Sequence, residues 1–225
     1  NKVKLVIEPE YESYFIDQDI WLKVIVINNS SENYYLKLPL NRLVVRFKGI
    51  SPAGKVFEDS IESKVKEPSD SLKLIPGNTF EKVMPLNIES KRFFYPENTE
   101  MGNFKIIAEY QDLSSNELNI SVSEPAGIDK ELYDQTYGSL FNMNIPDVDK
   151  MYKLETLLKK YPGTKYSPQL YNKFFRESKF INDYNKSTEN ISDFFENNND
   201  TYGAELILEL GNHNLEKLSS KYRDT

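Results

Sequence analysis

Cysteine is absent from this chain of 225 residues, and histidine occurs once. Disulfides, thiolate zinc sites and a cysteine nucleophile are therefore excluded, and any zinc site would have to rest mostly on carboxylates. The chain has a single tryptophan and nine glycines, and neither a Walker loop nor a dinucleotide fingerprint is among its motifs. No apolar run approaches the roughly 20 residues that a membrane-spanning helix needs. Runs of like charge are missing as well. The chain carries 28 basic and 35 acidic residues, a net charge of −7, divided 15 to 19 over residues 1–128 and 13 to 16 beyond. Neither part has the basic footprint of a nucleic-acid binder, so no nucleic-acid partner is expected.

Aromatic residues, by contrast, are plentiful: 15 Tyr and 13 Phe. With the aliphatic residues they supply enough apolar surface for a core in each half. The chain opens on Asn1 rather than Met. That start points either to a removed signal peptide or to a cut made in a longer chain; the first is expected, with an extracytoplasmic place, periplasmic or cell-surface.

The first half reads as strands. Residues 19–29 contain the clearest one, with Ile20, Leu22, Val24 and Val26 forming an apolar face at period 2. Its other face carries Trp21, Lys23, Ile25 and Ile27 and is only partly wet. Further strands are expected over residues 2–8, 43–50, 55–58, 80–87, 102–110 and 117–122. Ser51-Pro-Ala-Gly54 and Pro76-Gly77 supply turns between them. Short strands at this spacing, with no helical period among them, predict a β-sandwich whose core includes Leu22, Val24, Val26, Phe104 and Ile106.

The period changes beyond Ser123-Glu-Pro-Ala-Gly127. Asp129 is placed to cap a helix running to about Phe141. Pro146-Asp147 opens a second helix that ends before Pro162-Gly163, and Ser167-Pro168 opens a third. Further helices are expected over 182–196, 201–210 and 212–222. An internal repeat runs through this half. Residues 154–164 and 215–225 are identical at six of eleven positions, and Leu157 to Thr164 aligns with Phe194 to Thr201, 37 residues on. Leu154, Leu157, Leu215 and Leu218 are all expected to face the helical core. The domains expected are a β-sandwich over 1–124, a linker over 125–128 and a helical-repeat domain over 129–225.

Two resemblances sharpen this picture. Residues 20–29, Leu74-Ile-Pro-Gly77, Gly102-Asn-Phe-Lys-Ile106 and residues 115–122 are similar to bacterial immunoglobulin-like domains of secreted proteins. Leu157-Leu158 with Tyr161-Pro-Gly-Thr-Lys-Tyr166 resembles the inter-repeat turn of tetratricopeptide-like repeats in bacterial envelope proteins. The Cys–Trp–Cys core of antibody domains and the Trp-Leu-Gly pattern of tetratricopeptide repeats are both absent. Together the resemblances imply an immunoglobulin-like sandwich followed by α-helical hairpins, both of them interaction modules.

Candidate chemistry is sparse. His213 sits in Gly211-Asn-His-Asn214 at a helix junction and reads as a junction or capping residue rather than a catalytic base. Ser63-Lys-Val-Lys66 has the Ser-x-x-Lys spacing of some acyl-transfer enzymes. That chemistry wants the serine at a helix start, and this one lies among strands. Asn197-Asn-Asn-Asp200 lacks the alternating acids of a calcium loop and reads as an inter-helix turn. Phe93, Phe94 and Tyr95, together with Tyr34 and Tyr35, are read as core and strand-end packing, with a stacking surface for sugars or peptides as the functional alternative. Leu215, Leu218 and Tyr222 lie on the last helix, where a hairpin stack leaves an uncapped end for a partner. No cofactor or metal is expected. The expected function is non-catalytic binding or scaffolding in the bacterial cell envelope, with a protein or peptide partner. The alternative is a carboxylate-based glycan-active enzyme or carbohydrate-binding accessory module, because paired carboxylates need no local motif.

Overall fold

A computed structural model of the chain describes residues 3–39, 44–58, 69–86, 100–178, 194–198 and 201–202. The chain divides into two compact units, residues 1–124 and 125–225.

Among the described residues the first unit is built of β-strands. Strands β1 (Val3–Pro9), β3 (Trp21–Asn28) and β8 (Thr79–Pro85) form one antiparallel sheet in the order β1-β3-β8. A second sheet has the order β2-β11-β9-β5-β6, from Ser13–Phe15, Leu118–Ser123, Gly102–Tyr110, Arg46–Ile50 and Val56–Glu58, with the short β10 (Leu113–Ser114) on β9. The chain thus passes from one sheet to the other after β3, returns at β8 and crosses again to β9. This is the Greek-key order of an immunoglobulin-like sandwich. The edge segment switches sheets at Pro9: β1 pairs antiparallel with β3, while β2 pairs parallel with β11. Strands β4 (Tyr34–Pro39) and β7 (Ser69–Leu74) pair antiparallel as a separate ribbon.

The core follows from the period-2 pattern. Leu22, Val24 and Val26 are buried, and Leu5 and Ile7 of β1 stand opposite Val26 and Val24. Phe104, Ile106 and Ala108 of β9 and Ile120 and Val122 of β11 contribute the facing layer. The five core residues expected from sequence are all buried. Glycine is required at one core position. Gly49 of β5 stands directly opposite Phe57 of β6, and the Phe57 ring lies where a Cβ at residue 49 would sit. Having no side chain there lets Phe57 cross its neighbour strand and reach Phe104 edge-on, 6.4 Å between centroids.

Side-chain amides close what backbone pairing leaves open. At the outer edge of β1, the Asn116 amide accepts a hydrogen bond from the Ile7 N–H at 2.9 Å and donates one to the Ile7 carbonyl at 3.1 Å. One side chain therefore does at Ile7 what a neighbouring strand would do.

The second unit is helical: α1 (Gly127–Thr136), a 3-10 turn (Leu140–Asn142), α2 (Asp147–Lys160) and α3 (Ser167–Ser178), with residues 194–198 forming one further helical turn. Helices α2 and α3 start where Pro146-Asp147 and Ser167-Pro168 place them. The start of α1 corrects the expectation. Ala126 occupies the cap position with no side-chain cap. Asp129 sits inside the first turn, where it accepts the backbone N–H of Lys165 at 2.7 Å. Burial raises its carboxyl above the ordinary range, against the hydrogen bond and charge of Lys165. Helix α1 also ends at Thr136 rather than near Phe141, because the next residues tighten into a turn and the 3-10 segment. On α2 the core stripe is Met151, Leu154 and Leu158, and Leu157 is only half-buried. Contact at i and i+4, rather than i and i+3, decides which leucine goes inside. Among the described residues no helix is long and apolar enough to cross a membrane.

Candidate functional site

Of the site residues picked from sequence, Phe93, Phe94, Tyr95, Leu215, Leu218 and Tyr222 lie outside the described residues, as do His213, Ser63 and Lys66. Asn197 and Asn198 belong to the helical turn after Phe194. The buried Asn198 amide donates to the Phe194 carbonyl at 3.0 Å, a local helical bond rather than a ligand arrangement. Among the described residues no group of His, Asp and Glu is placed to hold a metal ion. What the structure brings forward is the ribbon carrying Tyr34 and Tyr35, whose two strands are not among those expected from sequence.

The ribbon forms because both segments alternate. Tyr34, Leu36 and Leu38 occupy one side of β4, and Leu72 and Leu74 occupy the same side of β7 through the pairs Tyr34–Leu74 and Leu36–Leu72. Leu36 and Leu74 are buried. Two devices hold the ribbon to the sheets. The first is Asn28 at the end of β3. Its buried amide donates to the carbonyls of Glu32 at 2.9 Å and Leu74 at 2.8 Å, and accepts from the N–H and Oγ of Ser30. Gly77, in the left-handed region at φ +81°, donates its N–H to the Asn28 carbonyl at 2.7 Å.

The second device is the Tyr110 hydroxyl on β9. It accepts from the Lys37 N–H at 2.7 Å and donates to the Lys37 carbonyl at 3.1 Å, while the Gln111 amide donates to it at 2.9 Å. Burial raises the Tyr110 phenol pKa. Next to it, Tyr34 donates to Gln111 Oε1 at 3.2 Å. Burial, then the nearby Tyr110 and Asp112, push the Tyr34 pKa up to about 12. Both phenols stay neutral and serve as hydrogen-bonding anchors at neutral pH.

These anchors decide what the ribbon presents. With its backbone groups given to Tyr110, Lys37 stands in a non-hydrogen-bonded pair with Ser71, and by alternation so does Tyr35 with Lys73. The N–H and C=O groups of Ser71 and Lys73 therefore point away from β4. Tyr35, Lys37, Ser71 and Lys73 share the outer face, and all four are exposed, Tyr35 at 54%. Leu72 on the opposite face is 41% exposed, and Ile75 just past the strand is 47% exposed. Among the described residues neither Lys37 nor Lys73 has an ion-pair partner. An aromatic ring flanked by two ammonium groups on a chain of net charge −7 is a local reversal of the overall sign.

No protein-family model matches the chain, and no curated protein does. Several solved structures are similar over about half of it. A β-glucosidase of Listeria innocua, solved with isofagomine, shares 10% identity at a TM-score of 0.36, covering 56% of this chain and 17% of that one. The sporulation control protein Spo0M of Bacillus subtilis shares 13% identity at a TM-score of 0.33, covering 62% and 56%. A CARDB domain from Pyrococcus furiosus, solved in complex with di-metal ions, shares 10% identity at a TM-score of 0.30, covering 54% and 87%. The chain spans about a sixth of the length of the glucosidase. At these identities and scores no activity, ligand or metal passes to this chain.

Proposed function

We propose that this chain is a non-catalytic binding or scaffolding protein of the bacterial cell envelope that engages a protein or peptide partner. The observation that carries the reading is the outer face of the β4–β7 ribbon, where the exposed Tyr35 stands between Lys37 and Lys73. Tyrosine offers a large contact area at low conformational cost, and unpaired lysines recruit and orient an acidic partner. The perturbed phenols and carboxyl described above have structural partners, which fits a framework role. In this reading the helical unit is a stack of tetratricopeptide-like hairpins, and Leu215, Leu218 and Tyr222 offer a second docking face at its end.

An exposed tyrosine ring is also what a carbohydrate-binding accessory module stacks on a sugar, so the glycan reading predicts a different ligand for the same residue. Placing the photo-reactive residue benzoylphenylalanine at position 35 of the full chain and irradiating it in an envelope fraction separates the two. A defined polypeptide cross-linked at position 35, and lost when Lys37 and Lys73 are both changed to Glu, is the expected result. Labelling of glycan alone would refute the reading, as would glycan turnover abolished by one carboxylate substitution.

A further inference from the structure

We propose that the outer edge of β7 takes up an extended peptide as an added strand, one whose side chains alternate acidic and apolar. The inference rests on the protein-or-peptide reading above and names the chemistry of that partner.

The argument starts from backbone parity. The Tyr110 hydroxyl holds both backbone groups of Lys37, so Ser71 and Lys73 turn their N–H and C=O groups to the side of β7 that β4 does not occupy. Strand β7 pairs with β4 alone among the described strands. Four backbone hydrogen-bonding groups, two donors and two acceptors, thus stand in a row along an exposed strand. At the edge of β1, by contrast, the Asn116 amide takes both backbone groups of Ile7. No comparable side chain covers β7 at Ser71 or Lys73 among the described residues. An extended peptide laid along such an edge gains main-chain hydrogen bonds, and the flanking side chains set its sequence.

Those side chains specify alternation. A strand beside β7 places every second residue next to Ser71 and Lys73, on the face that also carries Lys37 and Tyr35, where acidic side chains meet two ammonium groups with no ion-pair partner among the described residues. The residues between them fall on the other face, beside the half-exposed Leu72. A second copy of this chain fits less well. Antiparallel self-pairing centred on Leu72 sets Lys73 against Ser71 of the other copy, and it gathers Lys37 and Lys73 of both copies on one face with no acid between them.

The test uses the full chain and fluorescein-labelled synthetic octapeptides read by anisotropy. One alternates glutamate and valine, one has four glutamates followed by four valines, and one alternates lysine and valine. The alternating acidic peptide is expected to bind at least about tenfold more tightly than the other two. Ser71→Pro removes an outward N–H that the ribbon does not use, so it should weaken binding about tenfold at unchanged Tm. Should Ser71→Pro disturb folding, Lys73→Glu serves instead: it should weaken the acidic peptide and strengthen the lysine one. Equal binding of alternating and blocked peptides overturns the proposal, as does affinity indifferent to Lys73→Glu and a folded Ser71→Pro. A dimer in light scattering that Ser71→Pro dissociates, with no peptide selectivity, overturns it in favour of a second copy. Cross-linking of a polypeptide at position 35 that survives Ser71→Pro removes the added-strand mode and leaves the binding reading standing.

Discussion

Replacing Tyr110 by Phe removes one oxygen atom and three hydrogen bonds, and nearly all of the consequence falls on Lys37. The Gln111 amide is exposed and regains water at little cost. The Lys37 N–H and carbonyl lose their partner at a part-buried site. An orphaned buried backbone group costs about 1–3 kcal/mol, and partial water access puts each of these near the low end, so the expected loss is about 2–3 kcal/mol. For a unit of this size about 4 °C of Tm follows each kcal/mol, giving a fall of about 8–12 °C. Thermal unfolding of the full chain measures the total, and amide exchange at Lys37 localises it. The substitution also removes a neighbouring phenol that helps hold the Tyr34 pKa near 12, so Tyr34 should titrate closer to the ordinary phenol value. A Tm change under about 2 °C with Lys37 protection intact would refute the view that this hydroxyl holds the ribbon.

Raised phenol pKa values make the β unit alkali-sensitive. The unfolded chain loses its protons from about pH 10, while folded Tyr34 holds its own to about 12. Stability should therefore be full below about pH 10 and decline as pH approaches 12, less steeply in Tyr34→Phe, as followed by tyrosinate absorbance and circular dichroism. Asn116→Ala uncovers the Ile7 N–H and carbonyl and should cost about 1–2 kcal/mol in a denaturant titration. Asn116→Asp sets a carboxylate against the Ile7 carbonyl and should cost at least as much. Gly49→Ala sets a methyl group in steric overlap with the tip of the Phe57 ring and 2.5 Å from the Lys105 carbonyl oxygen, so it should lose about 1–3 kcal/mol. In the helical unit, the raised carboxyl of Asp129 favours folding below the ordinary carboxylate range, and that contribution is lost as pH rises through its folded value. Asp129→Asn keeps the acceptor for the Lys165 N–H without the charge. It should match or exceed the parent at pH 7, while Asp129→Ala should lose about 1 kcal/mol.

Elements whose pattern is complete within a dozen residues were legible from sequence. The alternation through Leu22, Val24 and Val26 placed β3 and its buried face, and Gly102 to Tyr110 marked β9 to the residue. Pro146-Asp147 and Ser167-Pro168 opened α2 and α3 because proline suits a helix start and not its interior. The ribbon was missed although Tyr34, Leu36 and Leu38 alternate, and so do Leu72 and Leu74. Two short runs some 35 residues apart carry no local sign that they pair. Asp129 misled for a related reason. Its carboxylate suits a cap, but the N–H that it serves belongs to Lys165, 36 residues on.

The sequence by itself therefore determined the kind of each clear element, the face that it buries, and the change from strand to helix near Pro125-Ala-Gly127. Those properties follow from side-chain period and backbone restriction, which act over a few residues. Only the tertiary structure decided which strand edges are closed and which are open. A single side chain from a distant segment settles each: Asn116 at Ile7, and Tyr110 at Lys37. Tyr110, by claiming the backbone groups of Lys37, also set the parity that turns Ser71 and Lys73 outward. Hydrogen-bond parity belongs to a pair of strands and its anchors, so it exists only once the chain has folded.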